Sequence, residues 1–252
     1  MAFIFAGQVF IMKKLIIAVL AVISISPVLA QKTKKDWSKV DLDAAGDHLM
    51  IQISKDGWTG VPDTLSGRMK GFSRGLNIAF MLDKKFKTDP RWSVAFGVGA
   101  SSSHIFFKST SVDIATTGTT VLPFTNLDSS NHYKKYKLAT TFVEIPVELR
   151  YCFHPENEKK SWKIAIGAKV GTLLNAHTKG KTLQNKYNQT LNPYTEKINK
   201  KIFFNNTRVA ATARVGIGNF SLFGSYQVST LLKDGAGPDI HPYQIGLCLS
   251  GL

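Results

Sequence analysis

The chain has 252 residues, 44% of them hydrophobic and 11% aromatic, and carries a formal net charge of +15. Its two cysteines exclude a disulfide-built scaffold, and its length suits one barrel-sized domain better than two small ones. The basic balance narrows the partners to nucleic acid or to anionic surfaces.

Met12-Lys13-Lys14 opens a positively charged segment, Leu15 to Ile25 is an apolar run of about eleven residues, and Pro27 breaks it. Val28-Leu29-Ala30 then ends on a small residue. That is the pattern of a cleavable export signal with the mature chain starting at Gln31. Residues 1–11 read as a misassigned upstream start. An uncleaved anchor is disfavoured, because the run after Lys14 falls short of the roughly 20 residues a helical span needs. No later stretch reaches that length, so a membrane location requires strands. Residues 1–30 hold two lysines and no acid, which leaves +13 on the exported part. An exported protein rarely meets nucleic acid. The expected partners are therefore outer-membrane lipid, lipopolysaccharide and envelope proteins. Plain solubility of the loops would account for the charge as well.

After a periplasmic segment at residues 31–47, eight strand-like runs follow. They are His48–Lys55, Phe72–Leu82, Trp92–Lys108, Tyr136–Phe153, Trp162–His177, Arg208–Ile217, Phe220–Leu232 and Tyr243–Leu252. In the later runs apolar residues fall on every second position, with one glycine: Trp162, Ile164, Ile166, Ala168, Val170; Phe220, Leu222, Gly224, Tyr226, Val228; Tyr243, Ile245, Leu247, Leu249. Lys163, Ala165, Gly167 and Lys169 fill the positions between Trp162 and Val170. A barrel in lipid places the apolar set outward and the polar set in its lumen. Asp83–Arg91, His154–Ser161 and Gly218-Asn219 are short connections. Gly57–Gly71, Ser109–Lys135, Thr178–Thr207 and Lys233–Pro242 are mostly longer, and the two kinds alternate. Short periplasmic turns and long external loops alternate in this way. The expected fold is an all-β, eight-stranded, up-and-down antiparallel transmembrane barrel over residues 48–252.

Two hairpins test the register. Gly218-Asn219 is a two-residue turn with Gly first; pairing Ile217 with Phe220 sets Val215 opposite Leu222 and Ala213 opposite Gly224. Pairing Phe153 with Trp162 sets Tyr151 opposite Ile164 and Leu149 opposite Ile166. Trp92, Tyr151, Phe153, Trp162 and Phe220 all fall at the short-turn rim, where an aromatic girdle belongs.

The fourth run places Glu144, Pro146, Glu148 and Arg150 on one face and Val143, Ile145, Val147, Leu149 and Tyr151 on the other. Carboxylates facing lipid are costly, so this face is expected inward. Lys169 then lies diagonally beside both glutamates, and Arg214 is also inward. In a barrel whose interior side chains just fill, Glu144, Glu148, Arg150, Lys169 and Arg214 are expected to form a charge plug. General acid–base work by the paired carboxylates and ion selection by the lumen are the alternatives. The thiols of Cys152 and Cys248 are expected on opposite strands, too far apart to bridge.

Other chemistry is faint. Six histidines show no metal-ligand spacing, and no metal or cofactor is expected. Ser101, Ser102, Ser103 and His104 invite a lipid-hydrolase reading, but no G-x-S-x-G elbow is present and His104 falls in the lipid-facing phase. Thr178–Thr207 holds Lys179, Lys181, Lys186, Lys197, Lys200 and Lys201 against Glu196. It reads as an anion-contacting loop or as a solvated, mobile one. Ser109–Asn131 is Ser/Thr-rich and nearly uncharged, with flexible reach expected.

Phe142-Val143-Glu144-Ile145-Pro146-Val147-Glu148-Leu149-Arg150-Tyr151 resembles the strand motif of the PorT-like family of small outer-membrane β-barrels of the Bacteroidetes type. Gly237-Pro238-Asp239-Ile240 followed by Gln244-Ile245-Gly246-Leu247 resembles that family's close. The resemblance covers roughly Met50 to Leu252 and implies the barrel fold and an outer-membrane location. The founding member's link to secretion is not carried over. The expected function is a non-catalytic barrel acting through its external loops in envelope integrity, adhesion or as a secretion accessory. A lipid-modifying membrane enzyme and a soluble periplasmic ligand-binding barrel are the alternatives.

Overall fold

The computed structural model describes residues 49–251. The expected signal (residues 1–30) and periplasmic segment (residues 31–47) lie outside the described residues. In chain order the elements are β1 (Leu49–Thr59), a single helical turn α1 (Asp63–Ser66), β2 (Arg74–Lys85), β3 (Trp92–Phe107), β4 (Thr110–Val112) and β5 (Phe124–Asn126). There follow β6 (His132–Cys152), β7 (Trp162–Gln184), β8 (Thr190–Asn199), β9 (Thr207–Ile217), β10 (Phe220–Gln227) and β11 (His241–Ser250).

Neighbouring strands run β1-β2-β3-β6-β7-β9-β10-β11 and return to β1, all antiparallel. This is a closed barrel of eight strands. Closure leaves no ring strand with an unpaired edge, the condition for strands in lipid. The two hairpin registers read from the sequence are present. Ile217 pairs with Phe220, Val215 with Leu222 and Ala213 with Gly224; Tyr151 pairs with Ile164 and Leu149 with Ile166. Gly218 takes φ +60, and a Cβ there would sit 2.4 Å from the Lys159 carbonyl oxygen, so the turn demands glycine twice over.

Several bounds differ from the sequence reading, for one reason. β6 and β7 pair with each other far beyond the ring, from Phe142↔Leu173 to His132↔Gln184. There β9 no longer accompanies β7, and β8 takes its place through Thr178↔Ile198 and Lys179↔Lys197. The segment Thr178–Thr207, read as an open loop, is therefore largely a hairpin that satisfies its own backbone groups. A bulge at Leu174 marks the change of partner, since Thr141 faces Asn175 while Phe142 faces Leu173. β10 ends at Gln227, short of the expected Leu232; Val228 still donates to the carbonyl of Val209, next in the register (2.8 Å), and Ser229 turns its N–H to the same carbonyl (3.3 Å), where the regular ladder stops.

The outward face is apolar around the ring: Ile53, Leu76, Val98, Ile145, Ile166, Leu222 and Leu247 are exposed, as are Val170 (51%) and Val228 (58%). Residues 86–91, 153–161 and 218–219 make the short turns at one rim. At the other rim the long connections fold over the barrel mouth. Phe107, Val112, Ile114, Leu122, Phe204, Leu232 and Ile240 are buried in one apolar core there. Ser109–Asn131, read as a flexible stretch, instead forms the β4–β5 hairpin, and its sparse apolar residues are what it buries. Cys152 and Cys248 are free thiols on β6 and β11, opposite members of the ring.

Candidate functional site

The lumen is divided by side. Met50, Ala79, Met81, Ala95, Phe223 and Cys248 pack as a small apolar cluster from β1, β2, β3, β10 and β11. The facing wall of β6, β7 and β9 carries buried charges. Lys169 Nζ donates to Glu144 Oε1 at 2.8 Å, and Arg208 Nη1 stands 3.5 Å from Glu144 Oε2. Ser101 Oγ accepts from Arg208 (2.8 Å) and donates to Glu144 (3.1 Å). Nearer the short-turn rim, Arg214 Nη2 and Arg150 Nε both reach Glu148 Oε2, at 2.9 and 3.0 Å. Arg150 Nη1 also lies 3.5 Å from Asp83.

Each glutamate is thus held between two cations. Desolvating an isolated carboxylate is prohibitive, and paired, hydrogen-bonded charges are the tolerated form. The side chains find room because glycine lies across from each: Gly171 faces Glu144 and Gly167 faces Glu148. A Cβ on Gly171 would come within 2.9 Å of Glu144 Cβ.

All five expected plug residues meet in this wall, with one change of partner. Lys169 bonds Glu144 and not Glu148, whose charge is met by Arg150 and Arg214. Arg208 is the cation the sequence reading missed. It shares the parity of Arg214 on the same strand, which was the available signal. Asp56 is a further buried carboxylate; it accepts from Ser54, Ser103 and Gln244 (3.1 Å from the last).

At the short-turn rim, Trp92 and Tyr151 stack edge to face at 4.9 Å between centroids, and Tyr151 meets Phe153 at 5.0 Å. Trp162 and Phe220 flank Ile217 on either side. Glu158, in the turn below, bonds Lys85 (2.6 Å) and Lys163 (3.2 Å). Burial alone would raise its pKa, but the two ammonium groups more than offset this and hold the carboxyl below its ordinary range.

At the long-loop rim the six loop lysines separate. Lys179 and Lys181 are on β7, Lys197 is on β8, Lys186 is in the tip of that hairpin, and Lys200 and Lys201 follow β8. Lys179 and Lys197 are cross-strand neighbours.

Ser102 Oγ and His104 Nε2 are 3.3 Å apart on the outward face. Lys137 Nζ lies 3.1 Å from His104 Nδ1. An ammonium only donates, so Nδ1 accepts and the ring proton sits on Nε2, aimed at Ser102. That polarity is the reverse of what a base activating a serine requires.

The family model described as "Outer membrane protein beta-barrel domain" matches residues 54–229. No curated protein matches the chain. Among solved structures, the crystal structure of Ail, the attachment invasion locus protein of Yersinia pestis, is 13% identical over 82% of this chain and 99% of that one, with a TM-score of 0.32. The same protein in complex with the heparin analogue sucrose octasulfate gives 13% and 0.31 over the same shares. Its backbone structure in a phospholipid bilayer nanodisc gives 16% and 0.29, again over 82% and 99%. At such identities and TM-scores the likeness says nothing of what this chain does.

Proposed function

This chain belongs to the outer membrane protein beta-barrel domain family and resides in the bacterial outer membrane, and from that premise we propose that it is a non-catalytic, non-conducting barrel acting through its external head. The observation that carries the reading is the contrast between a filled lumen and an ordered head. The charged wall fills one half of the interior, and the loop core closes the mouth above it. A head with its own apolar core holds a fixed surface toward the medium, as adhesion or docking of an envelope or secretion partner requires. Lys186, Lys200 and Lys201, exposed on the head with Lys181, suit an anionic sugar or phosphate polymer.

The test pairs two measurements on the full chain reconstituted in vesicles. Ion conductance is expected to stay at the lipid baseline, and a phosphorylated polysaccharide is expected to bind the parent but not Lys186→Gln/Lys200→Gln/Lys201→Gln. Steady single-channel current, or equal binding by the triple variant, would overturn the reading.

A further inference from the structure

On one side of the barrel, beyond the apolar band, cations stand on β1 and β2 and again on β6, β7 and β8, with His104, which accepts from Lys137, and Phe106 between them on β3. Lys55 pairs with Arg74 across β1 and β2, Arg74 with His104 across β2 and β3, and Phe106 with Lys137 across β3 and β6. Lys137 then pairs with Lys179, and Lys179 with Lys197. All share the outward phase. Lys55 lies two residues beyond Ile53, Arg74 two beyond Leu76, and Lys137 six beyond Val143, each of which is exposed on the apolar face. Lys179 follows exposed Leu174 on β7.

Like charges directly opposite on adjacent strands are destabilising. Here the repulsion is not relieved internally: among the described residues none of Lys55, Arg74, Lys137, Lys179 or Lys197 has a carboxylate partner. The row is also held in place. Arg74 and Lys137 approach the Phe106 ring at 5.8 and 5.9 Å, and Arg74 also lies over Phe72 at 5.4 Å. On the opposite side Lys55 meets Ile245 of β11, and Tyr226 of β10 faces Tyr243 of β11; among the described residues β9, β10 and β11 carry no outward lysine or arginine.

We infer that this row is a lateral lipid site, which binds the phosphomonoester headgroup of an outer-leaflet lipid whose acyl chains lie along Leu76, Val143 and Leu174. The position selects a lipid over a soluble anion, because the cations border the hydrocarbon-facing surface rather than the head. The charge selects a phosphomonoester over a zwitterionic headgroup, whose own ammonium would meet these lysines. Neighbouring strands are about 4.8 Å apart, so one phosphate can receive donors from two of them, and a headgroup bearing two phosphates can span four. The row is separate from Lys186, Lys200 and Lys201 on the head and does not depend on what the head binds.

The test is native mass spectrometry of the full chain in detergent, titrated with diphosphorylated lipid A, its dephosphorylated form, phosphatidylcholine or inorganic phosphate. The variants are Arg74→Gln/Lys137→Gln/Lys179→Gln, the conservative Arg74→Lys/Lys137→Arg/Lys179→Arg, and the head triple Lys186→Gln/Lys200→Gln/Lys201→Gln. Each cation removed near an anionic lipid weakens association about fivefold, so the row triple is expected to lose affinity for diphosphorylated lipid A roughly a hundredfold. The conservative and head triples should bind like the parent, and the other three probes should bind weakly to all. A shift in electrophoretic mobility on heating verifies that each variant is a folded barrel. If the row triple does not fold, the single Lys137→Gln, with an expected loss of about fivefold, takes its place. Equal affinity of parent and row variant overturns the site. So does equal loss in the head triple, or equal binding of the dephosphorylated lipid.

Discussion

The lumen beneath and the head above are both buried interiors of one barrel, and they are filled in opposite ways. The lumen wall holds Glu144, Glu148, Lys169, Arg208 and Arg214 in bonded groups. The head packs Phe107, Ile114, Leu122, Phe204 and Ile240 into one apolar core. The difference follows from what lies outside. Where strands face lipid, the apolar residues are committed outward and the inner face is left with polar ones, which must satisfy one another. Beyond the lipid, the connections face water on their outer side and have only the hydrophobic effect to order them, so their apolar residues turn in.

Four experiments bear on that contrast, from the largest effect to the smallest. Phe107→Ala should cost about 3–5 kcal/mol, as truncation of a buried aromatic does, and the loss should fall on the head. Limited proteolysis should then cut within residues 109–131 while the barrel keeps its heat-dependent gel mobility. A barrel that unfolds along with the head would show the two interiors to be one cooperative unit. Val170→Arg should cost about 2–4 kcal/mol near the membrane midplane, and spin labels at Val170 and Val228 should report lipid; a water signal from both would remove the premise of the comparison.

Lys169→Met should destabilise by less than the roughly 3–5 kcal/mol typical of a fully broken buried pair, because Arg208 still faces Glu144. Adding Glu144→Gln should deepen the loss, since it leaves Arg208 without that carboxylate. Adding Glu148→Gln should deepen it independently, since that carboxylate serves Arg150 and Arg214. Urea midpoints in vesicles separate these outcomes, and an unchanged midpoint for Lys169→Met would mean that the charged wall contributes nothing. The smallest effect is acidic. Glu158 titrates lower in the folded chain than in the unfolded one, so its stabilisation is present above about pH 4 and fades as pH falls through the depressed value. The fall in urea midpoint between pH 5 and 3 should be shallower for Glu158→Gln than for the parent, whereas Lys186→Gln should follow the parent.

Much of the lower region was readable from the sequence, because strands in lipid leave a period of two that few other environments impose. Two hairpin registers and the inward set of β6 followed from that period alone. Arg208 was within reach by the same parity but stood at a strand's first turn, where inside and outside are hardest to assign. The upper region was hidden for a different reason. β8 is exposed on both faces, and the buried positions of upper β7 are Thr178, Gly180 and Gln184, so Thr178–Thr207 carries no apolar alternation. The head core is assembled from residues scattered through a Ser/Thr-rich stretch, such as Ile114 and Leu122, at no regular spacing. Lys137 and Arg74 are unremarkable in sequence; only the register sets them side by side.

The unequal staves have a consequence for how the molecule sits among its neighbours. β7 has 23 residues and β10 has 8, so the rim stands tall on one flank and low on the other. A symmetric cylinder can spin about the membrane normal without altering what it shows. This one has a front and a back. Along β6 to β8 strand rises well past the ring, along β9 to β11 it stops low, and the molecule presents a different profile in different directions within the membrane plane.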